Sequence, residues 1–467
     1  EDHIRPVPCE VIDIKASTDL KVSHRIQVAT YALMLRDVSR ANGLDLPLDL
    51  GTGGIWLYGN TKPEWFDLRF SILTIEDFFR EKLTGILTAP IDELPWHLFF
   101  RCEWCEFYEH CRKEADEKAS ISLIPYLSIG GRTYLREVPW GGTDPINTLD
   151  DLENFLAGDE SDACLEACGS LRSKGDRLRN AISALKNGEI VCHGGFSLSQ
   201  PVMENVAIFM TIQEDPVTGR IYAAAFRRLK GKEIFGDGMR EEVFIARTPD
   251  DCDSVRKEFL QALHSELSVV DEYNEAGREW SEQKSMQSYG FDTYELSLFN
   301  RLLKESLTDP ELSEIAVQLL FYFQDTTLAE ADEHPRDEIP FPVIVMTGVI
   351  RQLLALPVPL SLRLPDVLKV LPSPSFDYTL EPNKLFWFEL SNVLKSDPIF
   401  LAWTKKRLET IDWVRSEISR RLQATGLVLD GLREKVKDCL LAWPPKFKFP
   451  DPLDFVNPEM SRLAFMA

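Results

Sequence analysis

Four side chains near the start of the chain combine type and spacing in a way that suits chemistry. They are Asp13 and Lys15 in CEVIDIK, and Gln27 and Tyr31 in HRIQVATY. Glu10 to Ala16 alternates polar and apolar residues around a β-branched centre, as a half-buried strand does, so Asp13 and Lys15 project from one face. A carboxylate there can hold a divalent metal through oxygen, and the metal polarises a phosphoryl oxygen and lowers the pKa of a bound water. Lys15 would orient that water or offset charge on the phosphate. Apolar residues at Ile26, Ala29, Leu33 and Met34 give Ser23 to Leu35 a helical period. That period puts Gln27 and Tyr31 on one face at i, i+4, within reach of a nucleic-acid backbone.

This series resembles the RecB-like branch of the PD-(D/E)XK nucleases, whose pattern is an acid on one strand, D/E-x-K on the next, and Q-x3-Y on the following helix. Asp13, Lys15, Gln27 and Tyr31 match it position by position. The resemblance implies Mg2+ or Mn2+ as the ion, hydrolysis of a DNA phosphodiester, and a second metal-holding acid upstream. Asp2 in EDHIRPVP is the candidate for that acid. The family also carries an acid or histidine on a helix before this hairpin. Because the chain begins at Glu1, the nuclease fold is expected to be N-terminally truncated. The plain alternative is a strand-helix unit with a surface lysine.

Cys102, Cys105 and Cys111 follow in LFFRCEWCEFYEHCRKEA, a C-x2-C-x5-C spacing whose short loop lets thiolates converge on one metal centre. In RecB-like nucleases with an iron-sulfur cluster, three closely spaced cysteines lie just after the nuclease core and a fourth lies far upstream. The resemblance therefore implies a 4Fe-4S cluster tying the end of the fold to its beginning. Zn2+ is the competing ion, with His110 or Cys9 as fourth ligand. Cys164, Cys168, Cys192, Cys252 and Cys439 read as structural.

The chain has 467 residues, enough for about two to four domains with ordinary cores. A net charge of -23 argues against loose coating of DNA and for a local cleft, since phosphate binding rests on Lys and Arg. Arg5, Lys15, Lys21, His24 and Arg25 supply such a local cluster. The most apolar run, Phe341 to Leu362, is broken by Arg351, Gln352 and several prolines, so no membrane span is expected. Nothing resembles a signal peptide. Nine unevenly spread cysteines fit a reducing cytoplasm.

Further along, residues 49–73 read as two short strands around an Asn60 turn, with a helix over Ile75 to Leu83. Residues 121–156 read as two short helices around glycine turns, and Gly130-Gly131 gives weak support for a segment resembling a helix-hairpin-helix. From Gly188, IVCHGGFSL, NVAIFMTIQ, GRIYAAAFRR and EEVFIAR are successive strand candidates, followed by helices near Val255 to Leu267 and Tyr294 to Leu307. Strands then helices suggest an RNase H-like α/β domain. This order resembles the exonuclease domain that follows RecB-like nucleases in a family of prokaryotic nuclease-helicase proteins, whose first strand carries D-x-E. Here those positions read Thr211-Ile212-Gln213, so the domain is expected to be degenerate. Glu214 and Asp215 are no obvious substitutes. No G-x4-G-K-[ST] loop is present, so ATP hydrolysis is not expected.

The expected fold class is α/β multidomain: a truncated PD-(D/E)XK fold over 1–118, a helical linker over 119–188, an RNase H-like domain over 189–311, and a mainly helical connector over 312–467. The connector would lead toward a superfamily-one helicase module of the same polypeptide. Single-stranded DNA or DNA ends are the expected substrate, in processing, repair or defence. The rival class is a non-catalytic platform in which both nuclease-like folds only guide a strand.

Overall fold

The structure, a computed structural model, describes residues 9–15, 20, 22–44, 46–57, 60–90, 96–99, 102, 105, 107–137, 145–215, 219–323, 343–371, 376, 378, 408–444 and 446–449. Asp2, Arg5 and Lys21 lie outside the described residues. The protein is a mixed α/β chain with two compact units, Glu1–Trp96 and His97–Ala467. Among the described residues no helix is long and apolar enough to cross a membrane.

In the first unit, strand β1 (Cys9–Lys15) is followed by helix α1 (Val22–Ala41) and strand β2 (Leu48–Leu57). β1 and β2 pair in parallel, with Asp13 opposite Ile55 and Lys15 opposite Leu57. Parallel neighbours need a crossover, and α1 supplies it. β2 then turns back antiparallel into β3 (Glu64–Asp67), giving a three-stranded sheet in the order β1-β2-β3. Helix α2 (Arg69–Asp77) continues through a wider π turn over Phe78–Leu83 into α3 (Thr84–Thr88).

The core of this unit joins Val28, Ala29, Ala32 and Leu33 of α1 to Ile55, Leu57, Leu68, Ile72 and Ile75. The buried stripe of α1 is rotated from the expected one. Val28 and Ala32 carry it, because they lie over β2, whereas Met34 is 58% exposed. Gly53 permits that approach: a Cβ there would stand 2.7 Å from Val28 Cγ1 and 2.9 Å from Leu68 Cδ1.

The second unit opens with helices α4 (Tyr108–Glu117), α5 (Ile129–Glu137), α6 (Leu149–Leu156), α7 (Ser161–Glu166) and α8 (Gly175–Asn187). Leucines and isoleucines of α5 to α8, with Ile121 and Ile124, form a small core of their own. Thr148 and Asp151 close a reciprocal capping box on α6. Gly130 and Gly131 do not form a turn. They sit in α5, where Gly131 lets the helix lie against Leu171, 2.9 Å from where a Cβ would be. Residues 97–118, expected to end the first domain, fall in this unit: His97 bonds Ser122 Oγ at 3.1 Å and Leu127 O at 3.2 Å.

Next come β4 (Val191–Cys192), β5 (Phe196–Pro201), β6 (Val206–Glu214), β7 (Ile221–Lys230), α9 (Lys232–Phe235), β8 (Met239–Ile245), α10 (Cys252–Glu275), β9 (Met286–Gly290), α11 (Thr293–Ser306) and α12 (Ser313–Phe323). They are followed by β10 (Val343–Val345), α13 (Met346–Leu353), β11 (Leu354–Ala355), α14 (Leu364–Val370), α15 (Leu408–Lys435) and β12 (Leu440–Ala442). The main sheet has the order β10-β9-β6-β7-β8. β6, β7 and β8 run antiparallel in succession, while β9 joins β6, and β10 joins β9, in parallel.

IVCHGGFSL, expected to open this sheet, does not join it. Gly194 and Gly195, at φ 75° and 92°, break the run, and β4 and β5 pair instead with β11 and β12. The boundary expected at 311/312 runs through one core. Leu319, Val343, Val349 and Val414 are buried in the same cluster as Phe209, Phe226 and Phe259, because β10 extends the sheet and α15 packs on β6, β7 and β8.

Candidate active site

Asp13 and Lys15 share the less exposed face of β1, with side chains 17% and 21% exposed, as the alternation predicts. Ile12 and Ile14 point the other way and are exposed. Lys15 Nζ lies 2.8 Å from Asp13 Oδ2 and donates a 2.6 Å hydrogen bond to Gln27 Oε1. Gln27 Nε2 then donates to the Tyr31 hydroxyl at 2.5 Å. Helical periodicity brings Gln27 and Tyr31 together, and the crossover brings Gln27 to Lys15. The four side chains chosen from the sequence thus form one connected polar chain from strand to helix.

The ammonium of Lys15 is close to Asp13 without pointing a hydrogen bond at it. Asp13 Oδ2 is buried and accepts no hydrogen bond. The Lys15 ammonium is its ion-pair partner, and a carboxylate so placed is a hard oxygen donor that a divalent cation could share with the lysine. On the exposed side of α1, the Arg25 guanidinium stands 5.5 Å from the centre of the Phe66 ring.

The cysteines are arranged by turns. Cys102 N donates to Phe99 O at 2.8 Å, Cys105 N to Cys102 O at 2.9 Å, and Cys111 N, in the first turn of α4, to Phe107 O at 3.0 Å. Among the described residues no three His, Cys, Asp or Glu side chains form a group that could hold a metal, so Cys102, Cys105 and Cys111 are not gathered into a ligand set. His110 and Cys9, the alternative fourth ligands, are both exposed.

In the second unit, Thr211 and Gln213 are buried side by side on β6 and converge on a carboxylate that sequence reasoning missed. The Thr211 hydroxyl donates to Glu295 Oε1, and Gln213 Nε2 donates to the same oxygen at 2.8 Å. Arg421 of α15 donates to it as well, at 2.8 Å, and also reaches Asp292 Oδ2 at 3.3 Å. Glu295 is nearly fully buried, and its other oxygen accepts nothing. The signal for it was available: Glu295, Leu298, Phe299 and Leu302 follow i, i+3, i+4, i+7, which sets a charge on the apolar stripe of α11. Glu214 faces elsewhere and takes Arg301 at 2.5 Å and the Tyr294 hydroxyl. Asp215 opens a turn, its carbonyl accepting from Gly219 N at 2.7 Å.

No family model matches this chain, and no curated protein or solved structure matches it.

Proposed function

We propose that the first unit is a RecB-like PD-(D/E)XK nuclease module of a larger nuclease-helicase, hydrolysing phosphodiester bonds in single-stranded DNA or at DNA ends with Mg2+ or Mn2+. One observation carries the reading: the unbroken chain Asp13, Lys15, Gln27, Tyr31, which joins the acid and lysine of the strand to the glutamine and tyrosine of the helix.

Asp13 offers an oxygen donor of the kind a hard divalent ion takes, and among the described residues no group of three His, Cys, Asp or Glu gathers with it. Asp13 would hold the ion through Oδ2, with Asp2 as the further acid that the resemblance implies, and the bound ion would polarise a phosphoryl oxygen and acidify a water. Lys15 keeps a positive charge at the edge of the same carboxylate, where it can meet a phosphate oxygen or orient the attacking water. Gln27 fixes the ammonium through Oε1, and Tyr31 fixes the Gln27 amide in turn. Tyr31 is 41% exposed and can touch the strand as it enters. The test is cleavage of a labelled single strand with Mg2+, with Mn2+ and with EDTA, for the protein and for Asp13→Asn. Cleavage that ignores both the chelator and the substitution refutes the reading.

For the second unit, we propose an RNase H-like fold that does not hydrolyse DNA and serves to guide a strand. Its run of strands followed by helices supports the fold. The role is favoured by Arg421, whose guanidinium already neutralises Glu295 where an exonuclease would need acids to hold metal ions. Thr211 and Gln213 bring no charge there. The thiol spacing of Cys102, Cys105 and Cys111 alone supports a 4Fe-4S cluster or Zn2+; the side chains as arranged do not fit either, and no step runs through them. Assignment to DNA processing, repair or defence rests on the same resemblance, and assignment to the cytoplasm on the nine unevenly spread cysteines.

A further inference from the structure

We infer that a cavity between the helical segment and the β4-β11 pair of the second unit is a binding site for a phosphoryl group. Its polar lining is Lys174, Arg177, Arg351, His193, Ser128 and Ser170, and the rest of its wall is largely apolar. Among the described residues no carboxylate lines it. That is a departure for a chain with 75 acidic residues against 52 basic ones.

The neighbouring cations make the contrast sharper. Arg172 pairs with Glu166, Arg179 with Asp162 and Asp176, and Lys186 with Asp150 and Glu153. Lys174 and Arg177 have no acidic partner among the described residues, and both face the cavity. Lys174 and Arg177, three residues apart at the start of α8, raise one another's electrostatic energy, and a bound anion removes that cost. Lys174 is also the N-cap of the 13-residue helix α8, whose positive dipole end is met in part by Asp176 in its first turn and by the Asp162 carboxylate beside Gly175.

The opposite wall is built to stay in place. The Arg351 guanidinium lies 4.2 Å from the centre of the Tyr126 ring. Tyr126 itself has φ 59°, and Leu360, whose carbonyl accepts from Tyr126 N at 3.1 Å, has φ 71°. Two bulky residues in left-handed backbone, bonded to each other, are the kind of strain that surrounding structure has to maintain, and such strain clusters at ligand sites. His193 is oriented by Asn180, with Nδ2 and Nδ1 at 2.8 Å. The cavity measures about 110 Å³. A single water needs about 10–15 Å³ on the same measure, so a group of several heavy atoms fits.

The phosphoryl group could belong to a free nucleotide or to the end or backbone of a strand. Binding is measured by titration calorimetry in EDTA, where hydrolysis plays no part, so failure of the nuclease reading leaves the result intact. The probes are inorganic phosphate, deoxyadenosine monophosphate against deoxyadenosine, and oligodeoxythymidylate with and without a 5′-phosphate. Saturable binding of a phosphate-bearing probe is expected. Lys174→Glu and Arg177→Glu should each weaken it by about ten-fold or more, the loss expected for one hydrogen bond to a charged group, whereas Arg172→Glu should not. Lys174→Gln and Arg177→Gln, with melting curves, guard against misfolding. Preference for the mononucleotide identifies a free nucleotide, and preference for the 5′-phosphorylated strand identifies a strand end. Equal binding of both oligonucleotides, lost in the variants, identifies the backbone. If no phosphate-bearing probe binds, or if the Lys174 and Arg177 variants bind as the unaltered protein does, the site is refuted.

Discussion

Lys15 Nζ stands 2.6 Å from Gln27 Oε1, joining a strand to a helix twelve residues later. Since the amide oxygen takes the ammonium, the amide nitrogen is left to face Tyr31, and the orientation of Gln27 follows from its two neighbours. The lysine is thereby held beside Asp13 by α1 as well as by its own strand.

Asp13→Asn and Lys15→Ala should each reduce metal-dependent cleavage of single-stranded DNA by about 100-fold or more, the scale found when one preorganised charged or donor group is removed from a reaction centre. Melting temperature should change little, because both side chains are partly solvated. Initial rates with Mg2+ check this, and unchanged rates in both variants would remove the site assignment.

Tyr31→Phe deletes only the acceptor for Gln27 Nε2. A net hydrogen bond of about 0.5–1.5 kcal/mol corresponds to a fall of about 2- to 12-fold in turnover. The same assay at saturating DNA decides it; a loss as deep as that of Lys15→Ala would mean that Tyr31 does more than orient the amide.

Arg421→Met should destabilise the second unit by about 3–5 kcal/mol, since it strands a buried carboxylate. Adding Glu295→Gln should restore much of the loss, and urea titrations of the single and double variants measure the coupling. In the Asp13→Asn background no exonuclease activity should remain with Mg2+ or Mn2+. Residual digestion that disappears on replacing Glu214, Asp215 or Glu295 would show that the second fold retains its own chemistry.

Burial, with a contribution from the nearby Arg132 charge, lowers the His97 imidazole to about 4 from its ordinary value of 6.5, against a smaller opposing effect of its bond to Leu127 O. The unfolded chain therefore binds a proton near pH 6.5 that the folded chain refuses until about pH 4. Stability from this group is complete above pH 6.5 and declines as pH falls toward 4. His97→Asn should flatten that slope in denaturant titrations across the window; some slope should persist, because burial lowers His193 as well.

The site in the first unit was legible because its parts are local. Asp13 to Tyr31 span under twenty residues, and two periodicities, of two and of about 3.6, assign every side chain to a face. The second unit was legible only where its strands are long and apolar, as in β6 and β7. β9 reads MQSYG and β10 only VIV, too short or too polar to be recognised without the neighbours that bury them. Glu295 hid as a capping residue: its N–H does bond Asp292 Oδ1 at 2.9 Å, while its side chain turns inward. Cys192 and Cys439, read only as structural, have their sulfurs 3.6 Å apart across 247 residues of sequence, a proximity that no local pattern encodes.

The packing of α15 against β6, β7 and β8 has a consequence in time. The helix begins at Leu408, nearly two hundred residues after β6 ends at Glu214. At roughly 5–20 residues per second, the ribosome makes the sheet some ten to forty seconds before it makes the cover. For that interval one apolar side of the sheet stands open to the cell. The nascent chain at this stage should be a client for holding chaperones, and a message cut short before Leu408 should yield insoluble protein where the full one does not.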